Sequence, residues 1–309
     1  MTIVAPGKAM LVGEYAVLDG GPAVVAAVDC YARAELDLTA RQRDSASPFV
    51  LQAEAEAQAE LLRRGLSASG LPVVDSNAFS RNGRKLGLGS SAAVTVAAVA
   101  ALFDAAGIDL EVAANRGALH GAARRAHDTA QGVAGSGADI LASVFGGLRT
   151  LNSDGDETRG LSLPPGIALR LVATSTSAST AELVKRYRAV GPVAAQARSR
   201  LAESARRFIN ACRDGSAEAL LSAVAAAQEA FLALGRALDR DLVTDEHRAI
   251  AVAAARVQGV AKPSGAGGGD LAVVFLPSAQ VAAFDRELSP LPFSVSARGA
   301  HVISTLEQA

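Results

Sequence analysis

The sequence predicts an α+β fold, in which each half of the chain runs from strands through helices to strands again. Its 309 residues are enough for two domains with separate hydrophobic cores. Hydrophobic residues make up 50% of the chain but aromatic residues only 4%, so alanine and valine carry the apolar mass. The Leu-Pro-Pro-Gly run at 163–166 separates the predicted domains, residues 1–162 and 163–309.

Strands precede helices in the first predicted domain. The first 50 residues are expected to be strands, because a valine-rich run at 24–28 precedes alternating polar and apolar residues from Arg33 to Leu38. Residues 67–89 are dotted with glycine, proline and asparagine and are predicted to be mostly loop. Apolar spacing and glycine stops predict helices at 53–64, 91–106, 109–128 and 138–144.

The second predicted domain follows a polar turn at 152–157. A strand at 167–173 is expected first, and then a helical region rich in alanine, arginine and glutamate at about 180–258. The rest of the chain is predicted to contain strand 271–276, helix 278–288 and short strands within 293–305.

Charge and cysteine content exclude several classes of protein. A net charge of −1 with mixed signs gives no footprint for nucleic acid or an anionic membrane. Cys30 and Cys212 are far apart in sequence and are expected to be reduced thiols rather than a disulfide. The N-terminus lacks the pattern of a signal peptide, and the alanine-rich stretch at 92–106 is too short to span a bilayer. These features predict a cytoplasmic protein.

The segment Lys85-Leu-Gly-Leu-Gly-Ser-Ser-Ala-Ala-Val94 predicts a phosphate-binding loop at the start of a helix. Its glycines allow the backbone to approach a ligand closely, and free N–H groups at a helix N-terminus favour an anion. A serine-capped helix after a turn is the alternative that the pattern leaves open. The dinucleotide pattern G-x-G-x-x-A also fits residues 87–92, but it should follow a buried strand, and residues 81–85 are basic and polar.

Two further glycine-rich loops, at 135–137 and 265–269, are not explained by helix or strand stability, because glycine destabilises regular structure. They are either tight turns or backbone walls close to a ligand. Lys8 alone fits a solvated strand end, and Asp139 alone fits an acid at a helix N-terminus. Together with the phosphate-binding loop, a lysine and an aspartate supply the charge balance and alignment that phosphoryl transfer needs.

Histidines give a weaker signal. His120 and His127 are seven residues apart and share a helix face. No thiol or third ligand lies near them in sequence, so we do not predict a metal site there.

Four segments resemble the GHMP superfamily of small-molecule kinases, in the family's order and over nearly the whole chain. They are Pro-Gly-Lys…Gly-Glu-Tyr at 6–15, Gly-Leu-Gly-Ser-Ser-Ala-Ala at 87–93, Ala-His…Ala-Gln-Gly…Gly-Ser-Gly-Ala-Asp at 126–139, and Lys-Pro-Ser-Gly-Ala-Gly-Gly-Gly-Asp at 262–270. Asp270 after three glycines, the Gly-Ser-Gly before Asp139, and Lys85 are all most similar to the phosphomevalonate kinase branch.

The resemblance implies a fold and cofactors. The fold has an N-terminal mixed α/β domain like ribosomal S5 domain 2, with the ATP-phosphate loop, and a C-terminal ferredoxin-like α+β domain with a glycine-rich substrate loop. ATP and Mg²⁺ are the implied cofactors, and phosphomevalonate is the implied substrate. Neither a nucleic acid nor a membrane is an expected partner, and a homodimer is left open.

The resemblance also implies site residues. Those matching the catalytic group are Lys8, Lys85 and Asp139. Those matching the ATP loop are Gly87, Leu88, Gly89, Ser90, Ser91 and Ala92. Those expected on the acceptor side are Lys8, Ser136, Gly137, Ser264, Gly265, Ala266 and Gly267. The positions matching magnesium ligands are Ser91 and Asp128, although the phosphomevalonate branch varies at the second of these.

A phosphorylated acceptor changes what the residues must do. Its second pKa is about 6, so the acceptor is mostly a dianion near pH 7 and needs little help from a base. We therefore expect Lys8 and Lys85 to offset repulsion, and Asp139 to align Lys8 or the acceptor. Mevalonate kinase or another GHMP kinase remains the alternative, and a non-catalytic nucleotide-binding regulator is a further one. A related decarboxylase fits the Gly-Ser-Gly segment and Asp270 poorly.

Overall fold

The computed structural model describes residues 1–39, 43–132, 135–152 and 157–303. Most of the polar turn expected at 152–157, and residues 133–134 beside the second glycine-rich loop, lie outside the described residues. The strands are β1 Thr2–Val12, β2 Ala23–Asp37, β3 Leu71–Asp75, β4 Ser80–Arg81, β5 Arg84–Lys85, β6 Leu148–Leu151, β7 Glu157–Leu161, β8 Ile167–Ala173, β9 Val260–Pro263, β10 Leu271–Pro277 and β11 His301–Ile303. The α-helices are α1 Pro48–Arg63, α2 Ser90–Ala105, α3 Ala113–Gln131, α4 Ala138–Phe145, α5 Thr180–Val190, α6 Ala195–Asp214, α7 Ala217–Leu238, α8 Asp245–Arg256 and α9 Val281–Leu288.

The chain divides into two units that are not continuous in sequence. The first unit is Met1–Lys8, Ala27–Gly147 and Ser296–Ala309, and the second is Ala9–Ala26 and Leu148–Val295. The predicted domains, 1–162 and 163–309, differ from this partition. A linear boundary misses it because β1 and β2 each supply residues to both units, and because the C-terminal residues return to the first.

The first unit packs helices around an alanine-rich core. β1 pairs with β11 and β2 pairs with β3, in both cases antiparallel. Helix α2 contacts α1, α3 and α4. From Ala92 to Phe103 nearly every α2 side chain is buried, and most of these are alanine or valine. Small side chains on every face let neighbouring helices approach α2 closely, which holds its N-terminus in place.

The second unit contains a three-stranded antiparallel sheet in the order β8-β10-β9. Helix α7 packs on α6 and β9, and α8 packs on β9 and β10. The first residues of β2 pair with β6, and β6 pairs with β7. Among the described residues α7 is the helix long and apolar enough to cross a membrane by length and composition. Its buried face, including Phe231 and Leu234, forms part of the unit's core.

Several element predictions are confirmed and others need correction. Strand β8 has the predicted bounds, and α2 and α4 agree within one residue at each end. The expected helical region at 180–258 is four helices, because glycines follow α5 and α6 and Thr244 caps α8. Helix α1 begins five residues earlier than predicted, at Pro48, because Ser47 caps it.

The strands differ from the prediction, whereas the cysteines agree with it. The expected loop at 67–89 contains β3, β4 and β5, and only β11 forms a strand within the described part of 293–305. Cys30 and Cys212 are both free thiols. Burial raises the pKa of each to about 12, which makes them unreactive near neutral pH.

Candidate active site

Helix α2 begins without a side-chain cap. Gly89 is the N-cap residue in the left-handed conformation, with a φ of 75°, and no side chain accepts a hydrogen bond there. The first helical bond runs from Ala93 N to Gly89 O at 3.2 Å. Within the described residues, the N–H groups of 90–92 have no protein acceptor. The serine-capped helix that the sequence left open is therefore not what forms, and three donors stay available to an anion.

Lys8 lies directly against this loop. Its backbone N–H donates to the carbonyl of Leu88 at 2.8 Å. A Cβ added to Gly89 would stand 2.8 Å from Lys8 Cγ, so only glycine fits both the conformation and the space. The Lys8 side chain is partly buried, and among the described residues it has no carboxylate partner within 4.0 Å. Lys8 therefore lies beside the uncapped N-terminus of α2, and no carboxylate among the described residues balances its charge.

Ser91, His127 and Asp139 form a polar cluster beside the start of α2. His127 Nε2 lies 3.1 Å from Ser91 Oγ and 4.0 Å from Asp139 Oδ2. The histidine side chain is only 5% exposed, whereas the Asp139 side chain is 26% exposed. The cluster therefore brings together two residues that the sequence assigned to the site and one that it did not.

Asp139 is fixed by its position in the first turn of α4. Its Oδ1 accepts a hydrogen bond from the Ile140 N–H at 2.9 Å, which leaves Oδ2 on the side of His127. Helix α4 is held in turn by Ser143, whose hydroxyl donates to the Pro6 carbonyl at 2.5 Å. The strand that carries Lys8 and the helix that carries Asp139 are therefore joined directly.

Asp128, which the resemblance matched to a magnesium ligand, contacts protein hydrogen-bond donors. Its Oδ2 accepts from Arg124 Nε at 2.9 Å, and its Oδ1 accepts from the Gly135 N–H at 3.3 Å. Arg124 also donates to the carbonyls of Ser136 and Gly135, at 3.0 and 2.7 Å. The pair holds the loop before α4. Because both oxygens are engaged, the geometry favours a structural role for Asp128 over metal binding.

The left-handed backbone conformation explains the glycine before α4. Gly137 has a φ of 76°, and a Cβ there would stand 1.5 Å from an Arg124 nitrogen.

Lys85 is exposed on β5, which pairs with β4 to form a short hairpin before the glycines of the phosphate-binding loop. The exposed position leaves its ammonium free to move.

The third glycine-rich loop belongs to the second unit and is fixed by its own contacts. The Ser264 hydroxyl donates to the Met10 carbonyl at 3.0 Å, and the Tyr15 hydroxyl donates to the Ala266 carbonyl at 2.6 Å. A Cβ on Gly267 would lie 2.7 Å from the Leu242 carbonyl oxygen. Gly265 also has a positive φ but has open space around it. Glycine is thus required at 267 by close approach.

A buried ion pair that the sequence did not predict lies next to that loop. Lys262 Nζ donates to Glu14 Oε1 at 2.6 Å and to the Pro263 carbonyl at 2.5 Å, and it lies 5.0 Å from the Phe231 ring centroid. The side chains are 0% and 3% exposed. Burial lowers the pKa of Lys262, and Glu14 opposes this by favouring the charged form. The sequence indicated this pair only by placing Glu14 near the end of the 6–15 motif and Lys262 at the start of the 262–270 motif.

Comparison with known proteins agrees with these motifs. Residues 53–147 match the family model described as GHMP kinases N terminal domain. The chain is 30% identical, over 336 aligned residues, to the phosphomevalonate kinase of Streptomyces sp. (strain CL190), and the match covers 88% of each.

Solved structures share the fold. A Lin0012 protein from Listeria innocua superposes with a TM-score of 0.85 at 22% identity, covering 98% of this chain and 99% of that one. Streptococcus pneumoniae phosphomevalonate kinase, solved with phosphomevalonate and AMPPNP, gives 0.80 at 21% identity, covering 96% and 99%. On its motifs, its fold and its curated relative, this chain belongs to the GHMP kinases and is an enzyme of that family similar to phosphomevalonate kinase.

Proposed function

We propose that this GHMP kinase transfers the γ-phosphoryl group of ATP to 5-phosphomevalonate and forms 5-diphosphomevalonate, a step of isoprenoid precursor synthesis. The observation that carries the proposal is the uncapped start of α2 with Lys8, unmatched among the described residues, on one side. The 30% identical relative is named a phosphomevalonate kinase, which favours this acceptor over others in the family. ATP and the acceptor are the proposed small-molecule partners, and we propose the cytoplasm as the location.

The start of α2 suits the phosphates of ATP. The N–H groups of Ser90, Ser91 and Ala92 precede the first helical bond and carry the positive end of the helix dipole. In the turn Gly87-Leu88-Gly89, the two glycines let the backbone approach the phosphates without a Cβ in the way, while Leu88 is buried. These residues would hold the nucleotide mainly through the backbone.

A phosphate acceptor makes charge the main difficulty. The acceptor is mostly a dianion near pH 7, and it must approach the γ-phosphate of ATP, which is also anionic. Lys8 would offset this repulsion between the two phosphates, and exposed Lys85 would attract the acceptor from solvent. The lack of a carboxylate beside Lys8 in the described part of the chain supports this assignment, because such a partner would cancel its charge.

Asp139 would align the reactants more than it removes a proton. Since the acceptor oxygen is already ionised, a general base gains little. The carboxylate is fixed by its bond to the Ile140 N–H, and its Oδ2 lies 4.0 Å from the His127 nitrogen that contacts Ser91 Oγ. We propose that it orients the acceptor, since no carboxylate of the described residues lies within 4.0 Å of Lys8, with Ser136, Gly137 and the loop Ser264–Gly267 as acceptor-side residues.

Magnesium fits the site as an ion that arrives with ATP. The described residues hold no group of three or more His, Cys, Asp or Glu side chains arranged to bind a metal. Mg²⁺ is commonly held by one or two protein groups together with substrate phosphates, so this sparse donor set is compatible with it. Ser91 would contribute its hydroxyl, and the ion when bound would neutralise charge on the phosphates.

A coupled assay of ADP release tests the proposal. The purified chain is given ATP, Mg²⁺ and one acceptor at a time, chosen from phosphomevalonate, mevalonate, diphosphomevalonate, homoserine and galactose. We expect kcat/KM for phosphomevalonate to exceed that for every other acceptor by at least about 100-fold, since unpaired charges in the site penalise the others. A preference for mevalonate, or no turnover with any acceptor, would overturn it.

A further inference from the structure

We propose that His127 is a positioning residue for phosphoryl transfer, which acts by holding the Ser91 side chain toward the nucleotide. This inference rests on the proposed function, because it assigns Ser91 to the phosphate-binding loop. The inference adds His127 to the site, because this residue, on helix α3, contacts Ser91 on helix α2.

The contact is a single hydrogen bond between two helices. His127 belongs to α3 and Ser91 to the first turn of α2, and their polar atoms lie 3.1 Å apart. Asp139 Oδ2 is 4.0 Å from the same ring nitrogen, which is beyond hydrogen-bond distance. Of the two site residues near the ring, Ser91 is therefore the one that His127 engages directly.

The imidazole ring is itself held in place. It is nearly fully buried, and the Phe49 ring packs on it with centroids 5.3 Å apart and planes 32° apart. Helices α1, which carries Phe49, α2 and α3 pack against one another. A ring restrained in this way can restrain what it bonds to, whereas a solvated histidine would not.

Ser91 needs such a restraint because serine has few contacts of its own. Ser91 is partly exposed, and its hydroxyl could rotate to the helix backbone or to solvent. Its carbonyl already accepts from the Thr95 hydroxyl at 2.9 Å, so the backbone is fixed while the side chain depends on His127. Residues that orient a metal or phosphate ligand in this way typically change affinity or activity 10- to 100-fold when removed.

A double-mutant cycle tests the proposal. His127→Leu, Ser91→Ala and the double variant are compared for kcat, KM for ATP, and the dissociation constant of Mg²⁺-ATP measured by calorimetry without acceptor. We expect His127→Leu to weaken Mg²⁺-ATP binding and kcat/KM for ATP by about 10-fold or more. In the Ser91→Ala background the same change should have less than about a 3-fold effect, because its partner is gone.

His127→Gln provides a rescue, since its amide can still hydrogen-bond to Ser91. We expect it to recover more than half of the logarithmic loss in Mg²⁺-ATP affinity seen with leucine. His120→Gln is the matched control, because it removes a histidine from the same helix without touching Ser91, and it should alter kcat/KM less than about 2-fold.

Two results would overturn the proposal. One is an equal loss from His127→Leu with and without Ser91, which would make the ring a packing element only. The other is unchanged Mg²⁺-ATP affinity in His127→Leu when thermal unfolding shows the variant to be folded. Because nucleotide binding is measured without acceptor, a wrong acceptor assignment in the ADP-release assay would leave this test intact.

Discussion

Two polar contacts among the described residues differ in how completely they are closed to solvent. Lys262 and Glu14, in the second unit, are both almost fully buried and bond directly to each other. In the first unit, the buried His127 ring contacts Ser91, a partly exposed residue, near the 26% exposed side chain of Asp139. The first contact is closed off from solvent, whereas the second lies beside an uncapped helix terminus.

This difference in solvent exposure distinguishes a contact that stabilises the fold from one proposed to act in ligand binding, although the sequence pattern of the two is similar. Both contacts lie within family motifs, and both include a charged or ionisable side chain. In a buried ion pair the desolvation penalty of each charge is offset by its partner. Removing one partner therefore leaves the other charge buried and uncompensated, which destabilises the fold. If the open cluster binds a ligand as proposed, removing one of its polar groups should affect binding more than folding.

The largest expected effect is on stability and follows from breaking the closed pair. Lys262→Met leaves the Glu14 carboxylate buried without its cation, and such a change costs about 3–5 kcal/mol in the free energy of unfolding. Urea denaturation measures this loss.

The double variant Lys262→Met with Glu14→Gln removes both charges and serves as the control. We expect it to recover at least about half of the lost unfolding free energy, since no net charge is left buried. A single variant as stable as the parent chain would show that the pair is not what holds these two segments, and the contrast between the two contacts would fail.

The second largest effect is on turnover and comes from the open cluster. Asp139→Asn keeps the size and the helix position but removes the charge, and we expect kcat to fall about 100- to 1,000-fold. Because the acceptor phosphate ionises near about pH 6, kcat of both the parent and the variant should still rise through that pH.

A pH profile of kcat from about 3.5 to 9 distinguishes alignment from base catalysis. If the rise near about pH 6 disappears in Asp139→Asn, or if the variant is fully active, the alignment role is wrong. Unfolding in urea should change by less than about 1 kcal/mol, because the residue is partly exposed and on the helix surface.

Some of this contrast could be predicted from the sequence. Glycines spaced closely before two serines and an apolar helix indicate a phosphate-binding loop, and the structure leaves the N–H groups after Gly89 without a cap. The order of four motifs predicts the GHMP kinase fold, which is confirmed. The free cysteines are also as expected.

Other features depend on packing that a sequence pattern does not carry. Which way His127 points depends on the rotation of α3 against α1 and α2, and periodicity places it only on a shared face with His120. The burial of Lys262 follows from a strand end covered by Phe231, whereas a lysine in a short motif is expected to be solvated. The division at 147 and 148 cannot be found from a linear change in composition, because the N-terminal strands contribute to both units.

A smaller effect on turnover distinguishes a ligand contact from a helix cap. Ser91→Ala should lower kcat/KM for ATP about 10- to 100-fold, as loss of a group that orients or binds a ligand does. Its effect on unfolding should be about 1 kcal/mol, the contribution of its hydrogen bond to buried His127, because the N-cap of α2 is Gly89 rather than a serine. Steady-state kinetics and thermal unfolding of the same preparation compare the two. Comparable losses in both would mean that the hydroxyl supports the helix itself.

The smallest effect tests whether the open region extends to solvent-exposed charge. Lys8→Ala and Lys85→Ala remove one ammonium each, but Lys8 is partly buried against Gly89 and Lys85 is exposed on β5. An exposed charge acts through water and is screened by salt over about 10 Å at 0.1 M, so Lys85→Ala should raise KM for the phosphorylated acceptor only about 3- to 10-fold. That increase should shrink when the salt concentration is raised to about 0.5 M, whereas the larger loss in kcat from Lys8→Ala should persist because its site is partly shielded from ions. Acceptor KM and kcat are measured for both variants at the two salt concentrations. An equal loss of kcat from Lys85→Ala and Lys8→Ala at high salt would mean that the exposed lysine acts at the reacting phosphates. The functional site would then include Lys85 in addition to Ser91, His127 and Asp139.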